Sequence, residues 1–157
     1  MPAIDRYTGM LYRTGDFGLR TLLDRGAEVV IISGGYGLVL AQEPIGWYEA
    51  VFEPAAWPNR LVERCLAAYV QSTGARNVVG ILAATSSYAA VFRRTPWTAG
   101  TQVFLVSPRS PGGRIGGAMV KVPRAQGEAL DELGSSGRLL PEWRSSDGLM
   151  MEVTRVQ

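Results

Sequence analysis

Histidine is absent from this 157-residue chain. That removes the side chain that most often serves as a general base near neutral pH and most often ligates a transition metal. A zinc site and a Ser-His-Asp triad are excluded. Any catalysis falls to carboxylates, tyrosine, serine, cysteine or the single lysine, Lys121. Cysteine is almost as scarce: Cys65 stands alone, so no intramolecular disulfide can form, which favours a reducing compartment. Leu61, Leu66, Ala68 and Tyr69 surround it at helical spacing, and the thiol reads as a plain buried one. No apolar run approaches the roughly 18 residues of a membrane span. The opening residues Met1 to Arg6 lack the charged-then-apolar pattern of a signal peptide. The expectation is a cytoplasmic protein with no membrane partner.

Apolar residues make up 46% of the chain, enough for a full core in one domain spanning residues 1–157. Net charge is only +2, and the basic residues are almost all arginine. Arginine suits planar, bidentate contacts with phosphate or carboxylate. A GC-rich coding sequence yields the same bias, and this charge does not by itself predict nucleic-acid binding.

The hydrophobic pattern predicts a mixed chain of helices and strands. Residues 16–25 suit a short helix with Phe17, Leu19, Leu22 and Leu23 on its apolar face. Glu28–Ser33 is a β-branched run that reads as a strand buried on both faces, as in a parallel sheet. Pro58 fits a first helical turn, and Gly74 fits a helix stop. Asn77–Leu82 is a second buried strand, so strand, helix and strand form a βαβ unit. A helix is expected from Ser86 to Arg93 and a third strand over Thr101–Val106. A basic Pro/Gly loop fills Ser107–Gly116, Ala118–Val122 reads as an antiparallel return, 124–134 as a helix weakened by Gly127, and 149–156 as a last edge strand. The fold class is therefore α/β, a mostly parallel central sheet with flanking helices and an antiparallel edge.

In open α/β sheets ligands bind beyond the carboxyl ends of the strands. Three segments leave such ends here: Ser33–Glu49, Ala84–Arg94 and Ser107–Arg114. The first begins with Ser33, Gly34, Gly35, Tyr36 and Gly37. This turn reads either as a tight reversal or as an anion cradle, in which glycines present backbone N–H groups and Tyr36 stacks on a base or sugar. It is neither a Walker loop nor a dinucleotide fingerprint. Glu43, Trp47, Tyr48 and Glu49 follow. Carboxylates beside aromatic rings suit a sugar or nucleobase pocket, or an ordinary solvated loop. Thr85, Ser86, Ser87 and Tyr88 open the next helix, where hydroxyls either cap or help hold phosphate. Arg93 and Arg94 lie at its far end, either complementing the dipole or clamping an anion. Arg109, Arg114 and Lys121 belong to a basic loop or a solvated hairpin tip.

Ser33-Gly34-Gly35-Tyr36-Gly37, then Glu43, Ile45 and Tyr48, resembles the signature of the YaaA peroxide-stress family, in which a strand ends in Ser-Gly-x-Tyr-Gly and an acidic residue follows. Tyr7-Thr8-Gly9-Met10-Leu11-Tyr12 is similar to that family's aromatic-x-Gly-x-x-Tyr element, and Ala84-Thr85-Ser86-Ser87-Tyr88 to its Ala-Ser-Asp-Glu-Tyr element. The resemblance covers roughly residues 5–107. Glu43 keeps the charge of the family's Asp, whereas Glu49 reverses the charge of its Arg, and Ser86 and Ser87 replace its acidic pair. The resemblance implies a single YaaA-like α/β domain with a nucleotide-like ligand site. It also implies a chain that begins after the family's helix-hairpin-helix element, to which DNA binding is attributed.

Two functions follow. One is binding, and action by carboxylate acid/base chemistry, on a nucleotide, nucleoside or nucleobase at the N-glycosidic bond, as a metal-independent hydrolase or transferase. Glu43 and Tyr48 would be catalytic. Ser33, Gly34, Gly35, Tyr36, Gly37, Thr85, Ser86, Ser87, Tyr88 and Arg93 would bind the ligand. No metal or cofactor is expected. The alternative is a non-catalytic, nucleic-acid-binding oxidative-stress protein, with Arg93, Arg94, Arg109, Arg114 and Lys121 on phosphates.

Overall fold

The computed structural model describes residues 1–109 and 114–157. The Ser107–Gly116 loop expected from the sequence thus lies partly outside the described residues. Among the described residues, six α-helices and two sheets make a mixed α/β fold. Three helices come first: α1 (Ala3–Arg6), α2 (Met10–Thr14) and α3 (Asp16–Asp24). A hairpin of β1 (Val30–Ser33) and β2 (Gly37–Leu40) follows, forming its own two-stranded sheet. After two 3₁₀ turns come α4 (Leu61–Thr73), β3 (Asn77–Ile81), α5 (Ser87–Arg94), β4 (Gln102–Pro108), α6 (Ala118–Ser136), β5 (Glu142–Arg144) and β6 (Met150–Arg155). The main sheet runs β3-β4-β6-β5. None of the described helices is long and apolar enough to cross a membrane.

The expected predominance of parallel strands is not seen. Among the described residues only β3 and β4 pair in parallel, joined through α5, while β4–β6 and β5–β6 are antiparallel. The chain turns back at once after β1, so Ser33 pairs with Gly37 and β1 is not hydrogen-bonded to β3. The expected βαβ unit from β1 to β3 is therefore absent, and β3-α5-β4 takes its place. The burial inferred for β1 still holds. Ile31 packs with Ala3, Val39 and Ile45 on one side. Val30 meets the Leu66–Phe92 cluster on the other, and Ile32 meets Phe52, Val62 and Val91.

Three further expectations are corrected. Ala118–Val122 opens α6 instead of forming a strand. Both sides of β4 are already occupied by β3 and β6, and extending a nucleated helix is easier than starting a new strand. Residues 150–155 do form a strand, but β5 covers it, so β6 is interior. Cys65 is exposed, not buried. Val62, Leu66 and Val70 set the inward face of α4, which leaves Cys65 in the wall of an open depression of about 410 Å³ beside Arg64, Ala68 and Pro96.

Gly127 supports α6 where the sequence suggested it would weaken it. A Cβ there would sit 2.5 Å from Thr14 Cβ and 2.7 Å from the Leu11 carbonyl oxygen of α2. A Cβ on Gly18 of α3 would lie 2.2 Å from the Leu130 carbonyl oxygen. These glycines bring helix backbones into contact, and the Gly18 N–H donates to Asp131 Oδ1 at 2.8 Å across the crossing.

Candidate functional site

The first hairpin places Ser33 at the end of β1, only 1% exposed. Its Oγ accepts from the Tyr36 N–H at 3.2 Å and lies 2.7 Å from the Tyr48 hydroxyl. The Tyr48 hydroxyl in turn lies 2.6 Å from that of Tyr7. Three hydroxyls therefore form a chain from the buried hairpin to the segment after α1. Each is both donor and acceptor, so a concerted switch of donors carries a proton along it.

Aromatic packing holds this chain in place. Tyr7 stacks on Tyr12 at 5.2 Å, and Tyr36 meets Tyr48 edge-on at 5.2 Å. The Tyr36 hydroxyl accepts from the Gly46 N–H at 3.1 Å, tying the turn to the following loop. Burial pushes the Tyr7 phenol up from 10.0 to about 12, with the Ser33 hydroxyl pulling the other way and Tyr48 adding to the rise. Burial also raises Tyr12, and burial together with Tyr48 raises Tyr88. Tyr7 is thus a proton donor near neutral pH rather than a phenolate base.

The glycines of the turn accommodate the protein's own chain. A Cβ on Gly34 would lie 2.2 Å from the Ala50 carbonyl oxygen, and one on Gly35 would lie 2.4 Å from the Tyr48 ring. Gly37 alone of the three has a left-handed backbone, φ +75°, closing the three-residue hairpin loop. The turn is a tight reversal with residues 48–51 laid over it.

An open depression of about 400 Å³ lies beside the tyrosines, lined by Arg6, Tyr7, Trp47, Tyr48, Glu49, Ala50 and Val51. Trp47 is 74% exposed and presents an indole there. Glu43 is not among the lining residues. Its Oε2 accepts from the Leu40 N–H at 3.1 Å, a local turn contact. Of the two acids, Glu49 is the one that lines the depression.

No family model matches the chain, and no curated protein or solved structure does.

The remaining candidates divide. Tyr88 stacks on Phe52 at 4.8 Å, and burial first, then the nearby Tyr48, raises its phenol above the ordinary value. Ser86 caps α5, its Oγ accepting from the Ala89 N–H at 3.2 Å and donating to the Ala83 carbonyl at 2.7 Å. Thr85 is exposed and Ser87 half-buried at the same helix start. Arg93 donates to the Ala84 carbonyl at 2.7 Å. Arg94 pairs with buried Glu63 at 3.0 Å, and Arg109 pairs with Glu152 at 3.1 Å and with Glu142. Each of these three arginines has a partner within the chain. Among the described residues no cluster of potential metal ligands occurs. Sequence reasoning missed Arg6 entirely. Tyr7 and Tyr12 are marked only as ends of the element similar to the YaaA aromatic-x-Gly-x-x-Tyr pattern, with no role assigned to either.

Proposed function

We propose that the depression beside Tyr48 binds a nucleotide, nucleoside or nucleobase-type ligand. The observation that carries this reading is the Ser33–Tyr48–Tyr7 hydroxyl chain ending in an aromatic depression that also holds a carboxylate. Trp47 offers a face for a base, since aromatic stacking on bases is favourable and tolerant of base identity. Glu49 accepts from ribose hydroxyls or an exocyclic amino group, as carboxylates do in other nucleotide sites. Tyr7 and Tyr48 supply hydroxyls that donate or accept as the ligand requires.

The chemistry this set supports is cleavage or transfer at an N-glycosidic bond. Glu49 takes over the electrostatic role first assigned to Glu43, stabilising positive charge on the sugar. Tyr48 gives a proton to the departing base as a water or an acceptor hydroxyl bonds to the anomeric carbon, and the proton that this nucleophile releases restores the Tyr48 phenol. Two of the elements that resemble the YaaA family, those carrying Ser33 and Tyr7, meet at Tyr48, which supports placing the chain's ligand there. The alternative nucleic-acid reading draws no support from the arginines, because Arg93, Arg94 and Arg109 already have partners.

The test is a thermal-shift screen against nucleotides, nucleosides and free bases, since a ligand of the folded state raises the melting temperature by mass action. A hit is expected, lost in Tyr48→Phe and Trp47→Ala, with free base released on incubation with a nucleoside or nucleotide. No shift with any member of these classes would sink the proposal.

A further inference from the structure

We infer that the depression holds the anionic group of its ligand on Arg6, which makes that ligand a nucleoside phosphate rather than a nucleoside or free base. This rests on the reading above and narrows its ligand class. Arg6 ends α1 and lines the depression beside Tyr7, Tyr48 and Glu49. Its Nε is sealed from solvent and has no hydrogen-bond partner. Buried donors are almost always paired, so a bare one in a native fold calls for a missing acceptor.

The protein's own carboxylates do not fill the gap. Arg20, Arg94, Arg109 and Arg124 each pair with an acid. Arg6 makes no ion pair among the described residues, although Glu49 shares the same depression. A guanidinium presents its N–H groups as a planar fork that fits two oxygens of a phosphate. An oxyanion reaches Nε once the Arg6 side chain turns to expose it to the depression, and it then supplies the acceptor that Nε lacks. Tyr7 adds a second donor, because burial keeps its proton in place at neutral pH.

Part of the hairpin turn is already taken up within the chain. Gly34 is covered by the Ala50 carbonyl, Gly35 by the Tyr48 ring, and the Tyr36 N–H is spent on Ser33. Arg6 is therefore the cation the site holds for a phosphate, with Glu49 left for hydroxyl or amino groups of the same ligand.

The test is isothermal titration of the full chain at low salt with AMP, GMP, CMP and UMP, their four nucleosides and inorganic phosphate. Wild type, Arg6→Ala and Arg6→Lys are compared. Wild type is expected to bind at least one monophosphate about tenfold or more tightly than its nucleoside, the scale of a charged hydrogen bond. Arg6→Ala should erase that gap while leaving nucleoside affinity unchanged, and Arg6→Lys should restore part of it. Equal binding of nucleoside and monophosphate by wild type would overturn the assignment and leave the nucleoside reading standing. An equal loss of both ligands in Arg6→Ala, with Arg6→Lys no better, would make Arg6 a structural residue and also overturn it. No binding by either class would bring down both proposals.

Discussion

Ser33 Oγ and the Tyr48 hydroxyl, 2.7 Å apart, join the end of the first hairpin to the loop that closes over it. The contact is partly buried, and each oxygen has one further partner, the Tyr36 N–H for Ser33 and the Tyr7 hydroxyl for Tyr48. Tyr48→Phe should lower unfolding stability by about 1 kcal/mol, the usual net worth of such a bond. Ser33→Ala should cost a similar amount. The double variant should fall short of the sum by a similar margin, because the two act on one contact. Urea denaturation of all four proteins measures this, and simple additivity would show that the bond contributes nothing.

Gly34→Ala and Gly35→Ala should both destabilise, the first more. The added methyl of Gly34→Ala meets backbone, the Ala50 carbonyl at 2.2 Å, whereas that of Gly35→Ala meets the Tyr48 ring at 2.4 Å. A side chain has more freedom to move than a backbone segment. Overpacking costs of about 1–3 kcal/mol are expected. Gly35→Ala should also shift tyrosine fluorescence, as the displaced Tyr48 ring leaves Tyr36.

At the helix crossing, Gly18→Ala should cost about 3 kcal/mol, because the new methyl would press into the α6 backbone at Leu130 and Asp131. Gly9→Ala is the control. Its Cβ meets nothing within 4 Å and its φ of −62° suits any residue, so its effect should stay within about 0.5 kcal/mol. Comparable melting temperatures for the two variants would refute the tight crossing.

Alkaline pH should weaken the fold through Tyr7. The folded state holds the phenol proton more tightly than the unfolded chain, raising it from 10.0 to about 12. The associated stability is fully present below pH 10 and is lost as pH rises through about 12. Tyr12, Tyr69 and Tyr88 shift in the same direction. Tyr7→Phe should therefore reduce the alkaline loss without abolishing it. Unfolding midpoints measured across that window, with phenolate absorbance followed in parallel, give the comparison.

Cys65 should react with a maleimide in the native protein as fast as in the denatured chain, since the thiol is exposed. Cys65→Ser should leave stability within about 0.5 kcal/mol. Slow native labelling would restore the buried reading.

Much of the local structure was legible. The β-branched run to Ser33, the Ser86 cap, the Gly74 stop and the helix over residues 16–25 all follow from short-range patterns. Each depends on backbone preference or on periodicity within one element. Partner choice does not. Nothing within Val30–Ser33 says whether it pairs with a parallel neighbour or folds straight back on Leu38–Leu40, and nothing within Ala118–Val122 says that both sides of β4 are occupied. Cys65 was misplaced for a related reason. A helix with apolar residues on more than one side has no unique inward face until Val62, Leu66 and Val70 meet their neighbours.

The sequence by itself determined which residue types were available for chemistry: no histidine, one cysteine, and aromatics and carboxylates clustered after a Gly-rich turn. It also marked Tyr48 as a candidate, because its ring and hydroxyl are intrinsic to the residue. Only the tertiary structure decided what surrounds it. Tyr7 comes from 41 residues upstream to reach its hydroxyl. Glu43 turns back to its own hairpin while Glu49 lines the depression, and Arg6 is left beside it with a bare donor. Those outcomes depend on which surfaces of distant segments are buried together, and burial is a property of the assembled chain.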